Sequence, residues 1–150
     1  MSRNCLICER IKLIKQNKNP FFVKELQTGF VVLGDHQFYK GYTLFLSKQH
    51  KKELHELDQK EKIEFLTEMS QVAQAVYEAF SPDKLNYELL GNTENHLHWH
   101  IFPRYANDPE PNKPIWVIDP KIRYADNVIP NTKERRALKI KLLQALTNHF

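Results

Sequence analysis

The chain has 150 residues, 41% of them hydrophobic and 27% charged, with only 4 Gly against 8 Pro. That length supports one compact fold with its own core, and the composition excludes disorder, collagen-like repeats and low-complexity scaffolds. The net charge of +4 is spread as +5, −5 and +4 over successive thirds, a pattern of solvated surface rather than a concentrated nucleic-acid-binding element.

A mildly positive field still favours small anionic ligands such as nucleotides. No run of about 18 apolar residues could cross a membrane. Residues 1–5 lack the apolar stretch of a secretory signal, and two cysteines make no disulfide framework. The expectation is a soluble cytoplasmic protein, one domain over residues 1–150, without sequence-specific nucleic-acid binding.

In chain order, residues 5–15 carry apolar side chains at 6, 7, 11, 13 and 14, which predicts a short helix broken at Asn17, Asn19 and Pro20. Residues 21–26 and 30–33 read as strands joined across Gln27-Thr28-Gly29, and residues 42–47 as a third strand. Asp58 with Glu61 has the form of a helix capping box. Behind it Ile63, Leu66, Met69, Ala73, Val76, Tyr77 and Phe80 repeat at helical spacing and predict a long helix with that stripe in the core.

Residues 85–90 form a fourth predicted strand, and residues 96–102 a fifth, stopped by Pro103. Five prolines between 105 and 131 mark an ordered arm over the surface, with Trp116 as a packing anchor or a base-stacking platform. Asn131 with Glu134 caps a final helix that buries Leu138, Leu142, Ala145 and Leu146. His36, His55 and His149 read as surface residues.

The informative segment is His96-Leu97-His98-Trp99-His100-Ile101-Phe102. Alternation along a strand places the three histidines on one face and Leu97, Trp99 and Ile101 on the other. Packing alone does not explain three imidazoles in a row. Two chemistries fit: a metal site, because neutral imidazole is a favoured zinc ligand, or nucleophilic catalysis by one imidazole on an electrophile such as phosphorus. Spacing leaves both open. Cys5-x-x-Cys8 also has several readings: a redox pair, two adventitious thiols, or half of a tetrahedral zinc site.

His96 to Phe102 matches the His-φ-His-φ-His-φ-φ signature, with φ apolar, of the histidine triad (HIT) family. Cys5-Leu6-Ile7-Cys8 resembles the opening of its zinc-bearing bacterial branch, whose diadenosine polyphosphate hydrolases are similar. Gly41 to His50 resembles the family's Gly-His-x-Leu-x-x-x-x-Lys-x-His strand. The resemblance covers residues 5 to about 104, leaving 105–150 as C-terminal arm and helix. It implies an α+β fold, a five-stranded antiparallel sheet with helices packed on one side, paired as a homodimer.

The implied activity is hydrolysis or nucleotidyl transfer at the α-phosphate of dinucleoside polyphosphates or nucleoside phosphoramidates. In that reading His98 is the nucleophile, His100 contacts the phosphate and helps the leaving group, and His96 orients the site or binds zinc. Asn92, Asp35 and Arg104 are the implied nucleotide contacts, adenine being favoured. Cys5, Cys8, His50 and His96 are the implied ligands of a structural zinc. No organic cofactor is expected. Tyr42 stands where much of the family has a further histidine, and the 91–95 loop is short. The rival readings are a zinc hydrolase with the three histidines on one metal, and a nucleotide-binding protein without turnover.

Overall fold

The computed structural model describes residues 4–150; residues 1–3, part of the N-terminal segment read above, lie outside them. Helix α1 (Leu6–Lys15) is capped by Cys5, whose sulfur accepts from the Cys8 amide. Strands β1 (Phe22–Glu25), β2 (Gly29–Leu33) and β3 (Thr43–Ser47) follow, then helix α2 (Gln59–Phe80). After β4 (Lys84–Glu88) and β5 (His98–Arg104) come the single-turn helix α3 (Pro120–Arg123) and helix α4 (Thr132–Thr147). The five strands form one antiparallel sheet in the order β1-β2-β3-β5-β4.

Alternation along the strands builds two cores. Val31, Leu33, Phe45 and Ile101 point to one face, where α2 and α4 cover them with Phe65, Val72, Val76, Leu138, Leu142 and Leu146. Phe30, Val32 and Leu46 point to the other, where α1 lays down Ile7, Ile11 and Ile14. The main helix pair thus shares one side, as expected, and the N-terminal helix covers part of the opposite side. Among the described residues no helix is long and apolar enough to cross a membrane.

Both predicted N-caps form, but only α4 has the full capping box; the Glu61 carboxylate at α2 accepts from Gln49 instead. Asp58 accepts from the Glu61 amide, and Asn131 and Glu134 exchange reciprocal cap bonds at α4. The α4 face is as read; in α2, Ala73 and Val76 are buried and Met69 and Phe80 pack against the core as read, but part of the buried face differs. Ile63 and Tyr77 are 54% and 52% exposed, whereas Phe65, Glu68, Val72 and Ala75 are buried. Glu68 hid that face from a hydrophobicity pattern. Its carboxylate goes inside because it accepts from the Gln27 and Thr28 amides and the Thr28 hydroxyl, which satisfies a buried charge with three donors in the β1–β2 turn.

Strand β5 does not stop at Pro103. It runs to Arg104, with Pro103 opposite Leu85 of β4. Pairing with β3 has already ended at Thr43 opposite Ile101, so the residue without an N–H sits where β5 is no longer flanked on both sides.

Candidate active site and metal centre

His98 and His100 lie on β5 opposite Leu46 and Leu44 of β3, on the face that carries α1. Leu97, Trp99 and Ile101 enter the core beneath α2 and α4, so the alternation holds. His96 lies just before the strand, on the same α1 side. The Leu97 amide donates to the Lys51 carbonyl and its own carbonyl accepts from Ser47, so the backbone at 96–97 is tied to the 47–51 turn before the strand begins. His96 is 1% exposed and faces the N-terminus of α1.

There it meets the two cysteines and His50. Cys5 Sγ and Cys8 Sγ each lie 3.5 Å from His96 Nδ1, Cys8 Sγ lies 3.3 Å from His50 Nδ1, and the two Nδ1 atoms are 3.2 Å apart. Tetrahedral zinc with the usual Zn–N and Zn–S lengths separates nitrogens by about 3.3 Å and nitrogen from sulfur by about 3.5 Å. The four separations match edges of such a tetrahedron, and all four donor atoms lie within 4.8 Å of one another. The His96 Nε2–H donates to the Ser47 carbonyl at 2.7 Å, which leaves Nδ1 as a lone pair for the metal. The residues fit zinc.

The same residue sets the tautomer of its neighbour. His98 Nδ1–H donates to the His96 carbonyl at 2.6 Å, so its Nε2 carries the unprotonated lone pair. The described residues offer that Nε2 no hydrogen-bond partner. The His100 ring lies 4.7 Å from the His98 ring, and Tyr42 Oη is 2.6 Å from His100 Nδ1. Burial, with His98 beside it, pushes the His100 pKa down to about 4, so the ring is neutral near pH 7. Burial raises the Tyr42 pKa, which keeps the phenol protonated. The phenol has no other partner among the described residues, so its proton goes to Nδ1 and His100 presents Nε2–H as a donor.

Tyr42 is held for that task. Its ring stacks on Phe102 at 4.2 Å and lies over Gly34, where a Cβ would come within 2.1 Å of the tyrosine ring. A glycine at 34 is what lets the ring seat. The sequence marked Tyr42 as a departure from the histidine pattern; only the fold shows that its hydroxyl reaches His100.

The other nucleotide-contact candidates lie apart. Asp35 pairs with Arg10 of α1 at 2.6 Å, on the wall of a cavity of about 250 Å³ lined mainly by apolar groups such as Ile7, Val32, Leu44 and Leu46, together with Asn19 and His36. Asn92 is exposed on the bend after Gly91, and that bend adjoins His98. Arg104 is 3% exposed and spends four of its five N–H groups on Asn86, Asp108 and the carbonyls of Glu110 and Lys113. Its guanidinium clasps the arm.

Of the histidines read as surface, His55 is exposed. His36 stacks edge-on against Tyr124, and His149 bonds the Glu78 carboxylate. The arm is anchored by Ile115, 2% exposed, rather than by Trp116, whose indole N–H reaches Glu88 at the surface.

The HIT domain pattern matches residues 15–107. The chain belongs to the HIT domain family. It is 28% identical over 110 residues to the protein named "Protein hit" of Bacillus subtilis, covering 70% of this chain and 74% of that one. A histidine triad protein of Bradyrhizobium japonicum superposes with a TM-score of 0.73 at 25% identity, over 83% of this chain and 89% of that one. A zinc-bound histidine triad family protein of Mycobacterium smegmatis shares the fold, with a TM-score of 0.65 at 21% identity over 97% of each chain.

Proposed function

We propose that this HIT chain binds nucleotides and cleaves them at the α-phosphate through a nucleotidyl-histidine on His98, as a hydrolase or nucleotidyl transferase. One observation carries the reading: the His98 Nδ1–H is fixed on the His96 carbonyl, leaving an unpartnered Nε2 beside the neutral donor His100. Nε2 attacks the α-phosphorus, the P–N bond forms, and the bond to the leaving group breaks with its electron pair going to that group. A polyphosphate leaves as an anion; an amine takes a proton from solvent. His98, now carrying both the phosphorus and the Nδ1 proton, is an imidazolium, and the His96 carbonyl stabilises it.

Water then adds to phosphorus, the P–N bond breaks, and the monophosphate and a proton are released. The His100 Nε2–H, held by Tyr42, stabilises charge on the phosphoryl oxygens as it develops. The apolar cavity beside Asp35 suits an adenine nucleoside, with the carboxylate available to ribose hydroxyls once Arg10 yields it. In this reading Asn92, exposed on the 91–95 bend, supplies a further phosphate contact.

Cys5, Cys8, His50 and His96 would hold a structural zinc that ties α1 to the turn before β5. The metal would supply rigidity there. His96 thus belongs to the metal site and contributes its carbonyl to the catalytic one. The three histidines do not converge on one point, which disfavours the single-metal alternative. Buried thiols suit the reducing cytoplasm. A second copy fits against the open edge of β4, where Tyr87 and Leu90 are exposed, as are Ile63 and Tyr77 of α2. Residues 1–150 act as one domain in this reading, because α4 closes the same core as α2.

The test is nucleoside monophosphate release from a panel of adenylated substrates by the native chain and His98→Asn, with and without a chelator. Release that survives chelation and disappears in His98→Asn is expected. Release abolished by the chelator overturns the nucleophilic reading, and nucleotide binding without release makes this a binding protein.

A further inference from the structure

The arm brings a second arginine to the site. Beyond the buried Ile115, the chain turns through Trp116 and α3 so that the Arg123 guanidinium lies between two rings, 4.9 Å from the centroid of Trp116 and 5.1 Å from that of Tyr124. Arg123 is 6% exposed. Its Nε–H donates to the Ile118 carbonyl, but its two terminal nitrogens have no hydrogen-bond partner and no carboxylate pairs with it among the described residues. With Trp116 and His36 it lines a small cleft that Tyr42 and His100 also line.

Burying a cation without a counter-ion is costly, and stacking on two aromatic rings offsets only part of that cost. Arg104 shows what a structural arginine looks like in this arm: equally buried, paired with Asp108 and nearly saturated with acceptors. Arg123 has the same burial and an unused planar fork. Such a fork matches phosphate oxygens bidentately. Glu88, paired with His100 across β4 and β5, is engaged by the Trp116 indole at the surface.

We propose that Arg123 is a substrate-binding residue that holds the phosphate chain extending from the phosphate at His98 and His100. The substrates favoured are then nucleotides whose leaving group is itself a polyphosphate, over phosphoramidates with an uncharged leaving group. This deepens the hydrolase reading and rests on it for the position of the reacting phosphate. The arm is thereby part of the site: Ile115 anchors it, Trp116 and Tyr124 grip the guanidinium stem, and the fork meets the anion.

The experiment pairs a binding titration with a rate ratio. Calorimetric titration with sodium tripolyphosphate is carried out on the native chain, Arg123→Gln and Arg123→Lys. For the same proteins kcat/KM is measured with diadenosine tetraphosphate and with adenosine phosphoramidate. We expect tripolyphosphate affinity to fall at least tenfold in Arg123→Gln and less in Arg123→Lys, which keeps the charge but not the fork. The ratio of the two kcat/KM values should fall at least tenfold in Arg123→Gln.

No tripolyphosphate binding by the native chain, equal binding by all three proteins, or an unchanged ratio while both rates drop would overturn the proposal and leave Arg123 as a packing residue. The Lys variant decides the matter if the Gln variant does not fold. Absence of turnover with every substrate counts against the hydrolase reading, and the titration then still decides the anion site.

Discussion

Removing one oxygen atom, in Tyr42→Phe, isolates what the phenol does for His100. Phenylalanine keeps the ring over Gly34 and the 4.2 Å stack on Phe102, so the packing survives. What is lost is the 2.6 Å bond to His100 Nδ1, which leaves a half-buried acceptor unsatisfied or lets the proton migrate to Nδ1. An orphaned acceptor costs about 1–3 kcal/mol, and about 1.4 kcal/mol is tenfold in rate. If the donor at Nε2 matters chiefly as charge develops on phosphate, kcat falls about 10- to 100-fold while KM changes by less than about threefold. The melting temperature should fall by only about 2–6 °C, the equivalent of one or two kcal/mol in a chain of this size.

The assay is steady-state kinetics on one adenylated substrate together with nitrogen-15 spectra of the His100 ring. The native ring should show Nε2–H and bare Nδ1, and the variant a mixture. Tyr42→His, which restores a donor, should recover part of kcat. A Tyr42→Phe enzyme within threefold of native kcat, with the His100 tautomer unchanged, would refute the reasoning.

Two further predictions follow from the same geometry. The native chain should contain one zinc per protomer by elemental analysis; chelation should lower the melting temperature by roughly 6–20 °C, for a loss of about 3–5 kcal/mol, while turnover by the protein that remains folded drops no more than about threefold. The second concerns acid. With the His100 pKa lowered from 6.5 to about 4, the unfolded chain takes up a proton that the folded chain refuses between those values. The stability is present above pH 6.5 and is lost as pH falls towards 4, by up to about 3 kcal/mol. Denaturant melts of native protein and His100→Phe over that range should show a slope shallower by up to one proton in the variant; identical slopes would contradict the assignment.

Much of the fold was legible because its signals are local. The α4 cap needs only Asn131 and Glu134, and its buried face only the spacing of Leu138, Leu142 and Leu146. The triad was equally legible, since strand alternation puts His98 and His100 on one face whatever surrounds them. The Cys5-x-x-Cys8 pair announced half of a site, and resemblance supplied His50 and His96. Where local pattern competed with a distant partner, it failed. Part of the α2 core face was missed because Glu68 goes inside to meet amides about 40 residues away. Pro103 ends no strand because its neighbour β3 has already run out.

By itself, then, the sequence determined the helices and their caps, the strand alternation, and the row of imidazoles opposite an apolar face, all set by interactions within a few residues. Only the tertiary structure shows which groups each histidine meets. His96, next to the backbone bonds to the 47–51 turn, meets the cysteine cluster, and its carbonyl fixes the proton of His98. The close approach at Gly34 seats Tyr42 on His100, and the arm returns Arg123 to a cleft from which it is 23 residues distant along the chain. These are contacts between groups far apart in sequence, and no periodicity encodes them, because a proton position and an unpaired charge depend on what the folded chain places nearby.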